Sequence, residues 1–200
     1  MSLADALDAE RLGQAVAGQR IGSRIVVVEE ATSTNDVVFA MAGENEEGLV
    51  VFAERQTAGR GQHGRRWQSA RGKGLWFSVL LRPNVAPNES PRLTSWAART
   101  VAETIAAELS LAATVKPPND VYVGERKVAG VLLEMRAIAG APNVGILGIG
   151  INVNQTSDDF PEEIRGTATS LAMATGKPID RHVIATAILH ALDRTYPPIA

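Results

Sequence analysis

The chain contains no cysteine among its 200 residues. A disulfide framework, a thiolate metal site and a cysteine nucleophile are therefore all excluded. The sequence also lacks any apolar run long enough to cross a bilayer, so it predicts no membrane span. Its first residues, MSLADALDAERL, have neither the basic start nor the apolar stretch of a secretory signal peptide. These absences predict a cytoplasmic protein with no membrane partner.

An excess of positive charge is also missing. The chain has 20 Lys and Arg residues against 22 Asp and Glu residues, for a formal net charge of −2. Broad binding to duplex DNA depends on such an excess, so this class of function is disfavoured. Hydrophobic residues make up 45% of the chain and charged residues 21%, which is typical of a globular protein. The length suits a single domain, predicted here to span residues 1–200.

The hydrophobic pattern predicts more strands than helices, and several strands follow one another without a helix between them. This order indicates an α+β fold with a mixed or antiparallel β-sheet flanked by helices, rather than alternating βαβ units. The predicted strands are 24–28, 49–53, 74–81, 114–116, 121–123, 127–135 and 143–149. The predicted helices are 5–17, 34–43, 92–109, 168–176 and 181–196.

The stretch TAGRGQHGRRW, residues 57–67, contains a G-x-G-x-x-G pattern. A dinucleotide-binding fold requires a helix directly after this pattern, whereas here the apolar strand GLWFSVLL follows. A Walker loop requires Lys-Ser/Thr after its last glycine, but Gly64 is followed by Arg65 and Arg66. The kinase H-R-D and D-F-G sequences are absent as well. These three ways of binding a nucleotide are therefore excluded.

The same stretch still has the chemistry of an anion site. Arg60, Arg65 and Arg66 supply charge, and the glycines allow backbone N–H groups to face an anion. Gln56 and Trp67 flank the stretch and offer an amide and a flat stacking surface. The alternative is a solvated hairpin loop, which would be the default for such a loop taken alone. A nucleic-acid binder is the weakest alternative, because a single aromatic lies among the arginines.

Five stretches stand in a characteristic order and spacing: STN at 33–35, QTAGRGQHGRRW at 56–67, KPPND at 116–120, RKVAGVLLE at 126–134 and GIGIN at 148–152. Together they resemble the biotin protein ligases over residues 20–195. The resemblance implies a fold like that of the class II aminoacyl-tRNA synthetases and biotin synthetase. It also implies an enzyme that uses ATP to convert biotin to biotinyl-5′-AMP and transfers biotin to a lysine of a biotin carboxyl carrier protein, such as that of acetyl-CoA carboxylase.

The resemblance assigns site residues in three groups, with ATP and biotin as substrates and Mg²⁺ as cofactor. The implied catalytic residues are Lys127, Arg60 and Asp120, of which Asp120 is also the candidate Mg²⁺ ligand. The implied biotin-binding residues are Ser33, Thr34, Gln56, Gly59, Arg60, Lys127, Gly130 and Leu132. The implied ATP-binding residues are Arg60, Arg65, Trp67, Asn119 and Asn152.

Simple electrostatics agree with this assignment. A carboxylate that attacks a phosphate must overcome repulsion between two anions, and fixed cations such as Lys127, Arg60 and Arg65 offset it. Mg²⁺ prefers oxygen ligands and bridges phosphates, which suits a carboxylate such as Asp120. Each residue also has an ordinary structural interpretation, since Ser33 can cap a helix and an Asn-Asp pair favours turns.

Two positions depart from the family pattern. Gln62 stands where the family usually has an arginine, which predicts weaker retention of the adenylate. Pro117 replaces a tryptophan in Lys-Trp-Pro-Asn-Asp, which predicts less apolar support beneath the site. The sequence also shows no helix-turn-helix before residue 20 and no small β-barrel after the last helix. We therefore expect a monofunctional ligase without a DNA partner, and homodimerisation is left open.

Two other functions stay open. A lipoate or octanoyl ligase of the same fold would need an arginine-rich stretch leading into three consecutive glycines, which is absent here. A non-catalytic biotin-binding module would bind biotin without forming an adenylate.

Overall fold

Seven strands form one mixed sheet in the computed structural model, which describes residues 6–43, 45–83, 90–138 and 141–196. The strands are β1 (Arg24–Val28), β2 (Leu49–Ala53), β3 (Gly74–Leu81), β4 (Ala113–Lys116), β5 (Asp120–Val123), β6 (Arg126–Ile138) and β7 (Ala141–Asn152). The helices are α1 (Ala9–Ala15), α2 (Thr34–Met41), α3 (Ser90–Leu109), α4 (Glu162–Arg165), α5 (Leu171–Thr175) and α6 (Arg181–Thr195).

The sheet has the strand order β1-β2-β3-β7-β6-β5-β4. Only β1 and β2 pair in parallel, and the other described neighbours are antiparallel. The predicted α+β class with a mixed sheet is therefore confirmed. Because β1 and β2 are parallel, their carboxyl ends lie at the same edge. That edge carries the two segments from which the site is built.

Helices cover both faces of the sheet, which explains why every residue of β2 and β3 is buried. One face packs against α1, α3 and α6, with Phe52 and Phe77 stacked at 4.8 Å between ring centroids. The other face packs against Val38 of α2 and against Ala42, the residue that follows this helix. Continuous apolar runs such as GLWFSVLL are expected when a strand is buried on both faces. None of the described helices combines the length and apolarity that crossing a membrane requires.

Most of the predicted strands and helices are present, and they differ from the prediction mainly in where they begin and end. The strands at 24–28, 49–53 and 74–81 are confirmed to the residue. Strands β6 and β7 are longer than predicted because they pair with each other along most of their length. Helix α3 begins at Ser90 rather than residue 92, α1 is shorter than predicted, and α4 was not predicted. Most of the predicted loop before α3, and the two prolines after α6, lie outside the described residues.

A buried ion pair fastens both ends of the segment between β2 and β3. Arg181, on α6, donates to Glu54 Oε2 at 2.8 Å and to the Gly74 carbonyl at 3.2 Å. Glu54 Oε1 also accepts the Leu7 amide at 2.7 Å. The Arg181 side chain is completely buried and that of Glu54 is 2% exposed. The segment that carries the glycine–arginine stretch is therefore anchored at its base.

Candidate active site

Two adjoining cavities lie beside the glycine–arginine loop, residues 57–67. The inner cavity is lined by the start of α2, by this loop and by the middle of β6 and β7. The outer cavity is lined by the loop tip, the start of β5 and residues between 160 and 168. Five residues line both cavities, so the two spaces meet: Gly61, Gln62, Trp67, Asn119 and Lys127.

The cavities bring together most of the residues predicted from the sequence. The inner cavity is lined by Ser33, Thr34, Gln56, Arg60, Lys127, Gly130 and Leu132. The outer cavity is lined by Arg65, Trp67, Asn119, Asp120, Lys127 and Asn152. Gly59 lies in the adjoining loop and lines neither cavity, and Arg60 lines the inner cavity but not the outer one.

The ends of β1 and β2 position the inner cavity. The Thr57 and Ala58 amides donate to the carbonyls of Ala31 and Thr32 at 2.9 and 2.8 Å, so the loop runs beside the segment that follows β1. This pairing brings Gln56 against the first turn of α2. The Thr34 amide donates to Gln56 Oε1 at 2.8 Å. Ser33 is the N-cap residue of α2 by position, but its hydroxyl makes no capping bond.

The glycine–arginine loop is a hairpin that folds back on itself. The Gly61 amide donates to the Arg65 carbonyl at 2.7 Å, and the Trp67 amide donates to the Gly59 carbonyl at 2.9 Å. A Cβ at Gly59 would lie 2.8 Å from the Trp67 carbonyl oxygen, so the close approach requires glycine. Within the described residues, the amides of Gly59 and Arg60 donate to no protein acceptor. Such unpaired amides are suited to bind a polar ligand.

Lys127 reaches both cavities because β6 contains a bulge. The pairing register between β5 and β6 shifts, with Lys127 opposite Tyr122 and Ala129 opposite Val121. A bulge of this kind re-aims the neighbouring side chain. The backbone of Lys127 pairs instead with the segment after α4, donating to the Thr167 carbonyl at 2.8 Å. Its Nζ lies 2.6 Å from Asp120 Oδ1.

Trp67 lies between the two cavities and packs on two glycines of the sheet. Gly130 and Gly150 are paired on β6 and β7, and a Cβ at either would lie within 3 Å of the indole ring. Lys127 Nζ lies 5.3 Å from the centre of the Trp67 ring, a cation–π contact. The glycines of GIGIN and RKVAG therefore allow the indole to reach the sheet. Its Nε1 is buried without a partner among the described residues.

Arg60 is held by two carboxylates on the side of the inner cavity. Its guanidinium donates to both oxygens of Asp36 at 2.8 and 2.9 Å, and to both oxygens of Glu134 at 3.0 and 3.2 Å. Arg136 also donates to Glu134 Oε2 at 3.1 Å. The Arg60 hydrogen bonds lower the pKa of Asp36 below its usual range. Sequence reasoning did not identify Asp36 or Glu134 as partners of this arginine.

The two predicted nucleotide amides already have protein partners. Asn119 Nδ2 donates to the Val131 carbonyl at 3.0 Å. Asn152 Nδ2 donates to the Thr169 carbonyl at 3.0 Å, and its Oδ1 accepts from Gln155 Nε2 at 3.2 Å. Both side chains thus tie strands and loops of the cavity wall together. Their predicted contacts with ATP stay predictions.

The sequence analysis missed several residues that line the cavities, and also Ser78, which lies behind the inner-cavity wall and hydrogen-bonds to Thr34 and Asn35. Ser78 stands alone as a polar residue in the apolar run of β3, which could have marked it as functional. Asn35 follows two predicted site residues directly, so its place in the motif STN was also informative. The outer-cavity residues Tyr122, Phe160, Ile164, Thr167 and Ala168 carry no comparable sequence pattern.

Comparisons with known proteins identify the family of the chain. A sequence profile described as the biotin/lipoate A/B protein ligase family matches residues 27–152. The bifunctional ligase/repressor BirA of Bacillus spizizenii is 40% identical over 177 residues, which cover 88% of this chain and 54% of the relative. The biotin--[acetyl-CoA-carboxylase] ligase of Mycobacterium tuberculosis is 34% identical over 194 residues, which cover 94% of this chain and 70% of the relative. The chain therefore spans only about half the length of some of its relatives.

A solved structure is similar as well. The biotin protein ligase of Aquifex aeolicus, in complex with biotin and ATP, superposes with a TM-score of 0.75 at 36% sequence identity. The superposition covers 86% of this chain and 69% of that chain. The sequence profile covers every residue that lines the inner cavity and the outer-cavity residues up to Asn152. The chain belongs to the biotin/lipoate A/B protein ligase family.

Proposed function

We propose that the protein activates biotin with ATP to form biotinyl-5′-AMP, and then transfers biotin to a lysine of a biotin carboxyl carrier protein. The observation that carries the proposal is that the inner and outer cavities meet at Lys127. A ligand carboxylate in one cavity and a nucleotide phosphate in the other would come together there. The similarity to the Aquifex ligase, solved with biotin and ATP, supports the choice of ligands.

In this proposal the inner cavity binds biotin. Ser33, Thr34 and Gln56 offer hydroxyl and amide groups to the ureido ring, which carries two N–H donors and one carbonyl. Gly130 and Leu132 contact the apolar part of the molecule. The unpaired amides of Gly59 and Arg60 lie in the loop beside the cavity and would donate to the carboxylate end.

The outer cavity then binds ATP. Arg65 provides charge for the phosphates, Trp67 provides a flat surface for the base, and Asn119 and Asn152 supply polar groups in its wall. The ATP contact predicted for Arg60 has the least support of these, because Arg60 lines the inner cavity and not the outer one. The charge that reaches both ligands is that of Lys127.

The proposed reaction has two steps. A biotin carboxylate oxygen attacks the α-phosphorus of ATP, and pyrophosphate leaves. The carrier lysine amine then attacks the acyl carbon of the mixed anhydride, an amide forms, and AMP leaves. Lys127 offsets the repulsion between carboxylate and phosphate in the first step, and Asp120 holds the ammonium in place at 2.6 Å. Proximity and charge are sufficient, so no protein nucleophile is required.

In this proposal a single protein carboxylate would bind Mg²⁺. Among the described residues no cluster of three or more His, Cys, Asp or Glu side chains could hold a metal, so a resident all-protein site is not expected. Mg²⁺ commonly binds one or two carboxylates together with substrate phosphates and water. Asp120 lines the outer cavity and would be that ligand. When bound, the ion would neutralise phosphate charge.

The carrier is proposed from chemistry and from a relative. The ligase of Mycobacterium tuberculosis is named for acetyl-CoA carboxylase, so the carrier domain of such a carboxylase is the partner to test first. We place the reaction in the cytoplasm, where a protein of this composition, without cysteine, would meet such carriers.

Pyrophosphate release tests the proposal. The purified protein should release pyrophosphate with ATP, Mg²⁺ and biotin, and Lys127→Ala should lower the rate by about 100-fold or more. Lys177→Ala, which removes an exposed lysine after α5, is the matched control and should keep the wild-type rate. Release with lipoate instead of biotin would favour the lipoate ligase alternative. Calorimetric binding of biotin without pyrophosphate release would favour the non-catalytic module.

A further inference from the structure

A third cavity adjoins the glycine–arginine loop, and we call it the side cavity. Its wall consists of residues 58–66 of the loop and of Leu132 and Glu134 on β6. Gly61 and Gln62 line the side, inner and outer cavities alike. The side cavity therefore adjoins the place where the inner and outer cavities meet.

In the proposed function, the side cavity gives the carrier lysine a route that a bound adenylate leaves open. Biotinyl-5′-AMP would place its biotin part in the inner cavity and its nucleotide part in the outer cavity. Its acyl carbon would then lie near Lys127, which lines both of these cavities. An amine that enters the side cavity approaches this carbon along Gly61 and Gln62.

His63 lies beside this route, next to Gln62 in the loop. It lines the side cavity and the outer cavity, and no other histidine lines the three cavities among the described residues. Its backbone has φ 58° and ψ 34°, in the left-handed region that residues other than glycine seldom adopt. The residue is exposed, and within the described chain its imidazole has no hydrogen-bond or ion-pair partner. The imidazole is therefore available to an incoming group.

The transfer step requires a base, because a lysine amine attacks only after it has lost its extra proton. At pH 7 fewer than about one ordinary lysine in a thousand is neutral. Imidazole is the side chain that ordinarily accepts protons in this pH range. The nearby carboxylates are engaged elsewhere. Asp120 contacts the Lys127 ammonium at 2.6 Å. Burial raises the pKa of Glu134, but hydrogen bonds from Arg60 and Asn35 outweigh this effect and lower it, which makes Glu134 a weak base.

We propose that His63 is a catalytic residue that takes a proton from the carrier lysine in the transfer step. The lysine ammonium enters the side cavity and gives one proton to the imidazole. The freed electron pair attacks the acyl carbon, the bond from this carbon to the phosphate oxygen of AMP breaks, and an amide forms. The second proton leaves with AMP, and His63 releases its proton to water. This inference rests on the proposed function, because it assumes that biotinyl-5′-AMP is the intermediate.

Single-turnover transfer tests the proposal. Wild type and variants are loaded with synthetic biotinyl-5′-AMP and mixed with the carrier domain of an acetyl-CoA carboxylase. His63→Asn should lower the transfer rate at pH 7 by about 100-fold, at the lower end of the range for general base catalysis. A fall of less than tenfold would overturn the proposal. Thermal unfolding monitored by circular dichroism establishes that each variant is folded.

The loss should depend on pH. As the pH rises from 7 to about 9.5, more of the lysine loses its proton to water, so the base matters less and the two rates should approach each other. A ratio of rates that stays constant over this range would overturn the role as a base. The charged and titratable groups that line the side or outer cavity with His63 are the same in both proteins: Arg60, Arg65, Arg66, Asp120, Tyr122, Lys127 and Glu134.

Hydroxylamine separates proton removal from the placement of the acyl carbon. It is neutral at pH 7 and attacks acyl adenylates without a base. Adenylate bound to His63→Asn should therefore react with hydroxylamine at the wild-type rate. A loss as large as the loss with the carrier would overturn the proposal, because the variant would then have misplaced the adenylate.

Two further variants control for backbone shape and for the loss of a histidine. Glycine, like asparagine, readily adopts the left-handed backbone, so His63→Gly should lose as much rate as His63→Asn, and a wild-type rate would overturn the proposal. His190→Asn changes a histidine that lines a groove between α3 and α6, and it should keep the wild-type rate. An equal fall in His190→Asn would also overturn the proposal.

The two proposals fail in different ways. If the wild type releases pyrophosphate with biotin and transfers it, but the His63 variants transfer equally fast, only the role of His63 fails. If the wild type releases no pyrophosphate with biotin, the proposed function fails, and the role of His63 fails with it.

Discussion

Lys127 Nζ lies 2.6 Å from Asp120 Oδ1, at the place where the inner and outer cavities meet. Asp120 pairs with Gly130 and Lys127 pairs with Tyr122, and the shift in register between β5 and β6 lies between these two pairs. The Asp120 carboxylate thus contacts the Lys127 ammonium and also lines the outer cavity. This double position makes Asp120 the residue on which the proposed metal dependence can be tested.

Asp120→Asn should increase the Mg²⁺ concentration needed for half-maximal pyrophosphate release. The amide keeps the shape of the side chain but loses the charge that attracts the ion and the ammonium. We expect an increase of about tenfold or more, in the range found when groups that support a metal are changed. Asp158→Asn, at an exposed position, is the control. An unaltered Mg²⁺ titration for Asp120→Asn would argue against metal contact at this residue.

Gln62→Arg should lengthen the retention of biotinyl-adenylate. Gln62 lines both cavities, where an arginine would add a charge that the amide lacks. Retention is measured as the adenylate that stays with the protein after rapid desalting, or as biotinylation of bystander proteins by released intermediate. Gln14→Arg, on the exposed face of α1, controls for the added charge. Equal retention in Gln62→Arg and the wild type would show that Gln62 is not the cause of any release.

Gly150→Ala should displace Trp67 from the sheet. The added methyl group would lie 2.5 to 2.9 Å from indole atoms, and overpacking of this kind costs about 1–3 kcal/mol of stability. We expect a change in tryptophan fluorescence that is absent when Trp67→Phe is the background, together with weaker ATP binding. At Gly166 the same substitution meets no atom within 4 Å and serves as the control. A wild-type spectrum for Gly150→Ala would contradict the packing of Trp67 on this glycine.

Asp36 should contribute to stability in a pH-dependent way. Hydrogen bonds from Arg60 lower its pKa in the folded protein. A carboxyl whose pKa is lowered by folding stabilises the protein above its unfolded pKa, about 4, and this contribution disappears as the pH falls through the folded value. The free energy of unfolding of the wild type should therefore exceed that of Asp36→Asn at pH 7, and the gap should begin to narrow below about pH 4 and close once the pH is below the folded pKa. Urea unfolding at several pH values measures it, and a constant gap down to pH 3 would contradict the assignment.

Arg181→Met should be strongly destabilising because it leaves the Glu54 carboxylate buried without its ion partner. Removing one member of a buried pair typically costs about 3–5 kcal/mol. The double variant Glu54→Leu with Arg181→Met should recover part of this loss, since no charge is then buried. Urea unfolding of the two variants gives the comparison. A double variant less stable than Arg181→Met would show that the Glu54 contact with the Leu7 amide matters more than the uncompensated charge.

Much of the fold could be predicted from local patterns. The apolar runs of β2 and β3 and the periodicity of α3 specify their own secondary structure, because burial on both faces or on one stripe dictates the residue type. Gly176 ends α5 with a φ of 75°, as predicted from the residue type alone. The full lengths of β6 and β7 could not be predicted, because each strand extends as far as it pairs with the other, and that pairing is not encoded in either stretch alone.

The sequence by itself determined the fold class, the place of the glycine–arginine loop and part of the set of residues that line the two cavities, because these follow from residue types and their local patterns. Only the tertiary structure decided what those residues contact. Arg60 is occupied by Asp36 and Glu134, and Glu134 reaches Thr34 through Asn35 and Ser78. These groups come from a helix, a loop and two strands that are far apart in sequence. Their charges and hydrogen bonds act over a few ångströms, so the contacts exist only once the sheet and its covering helix have packed.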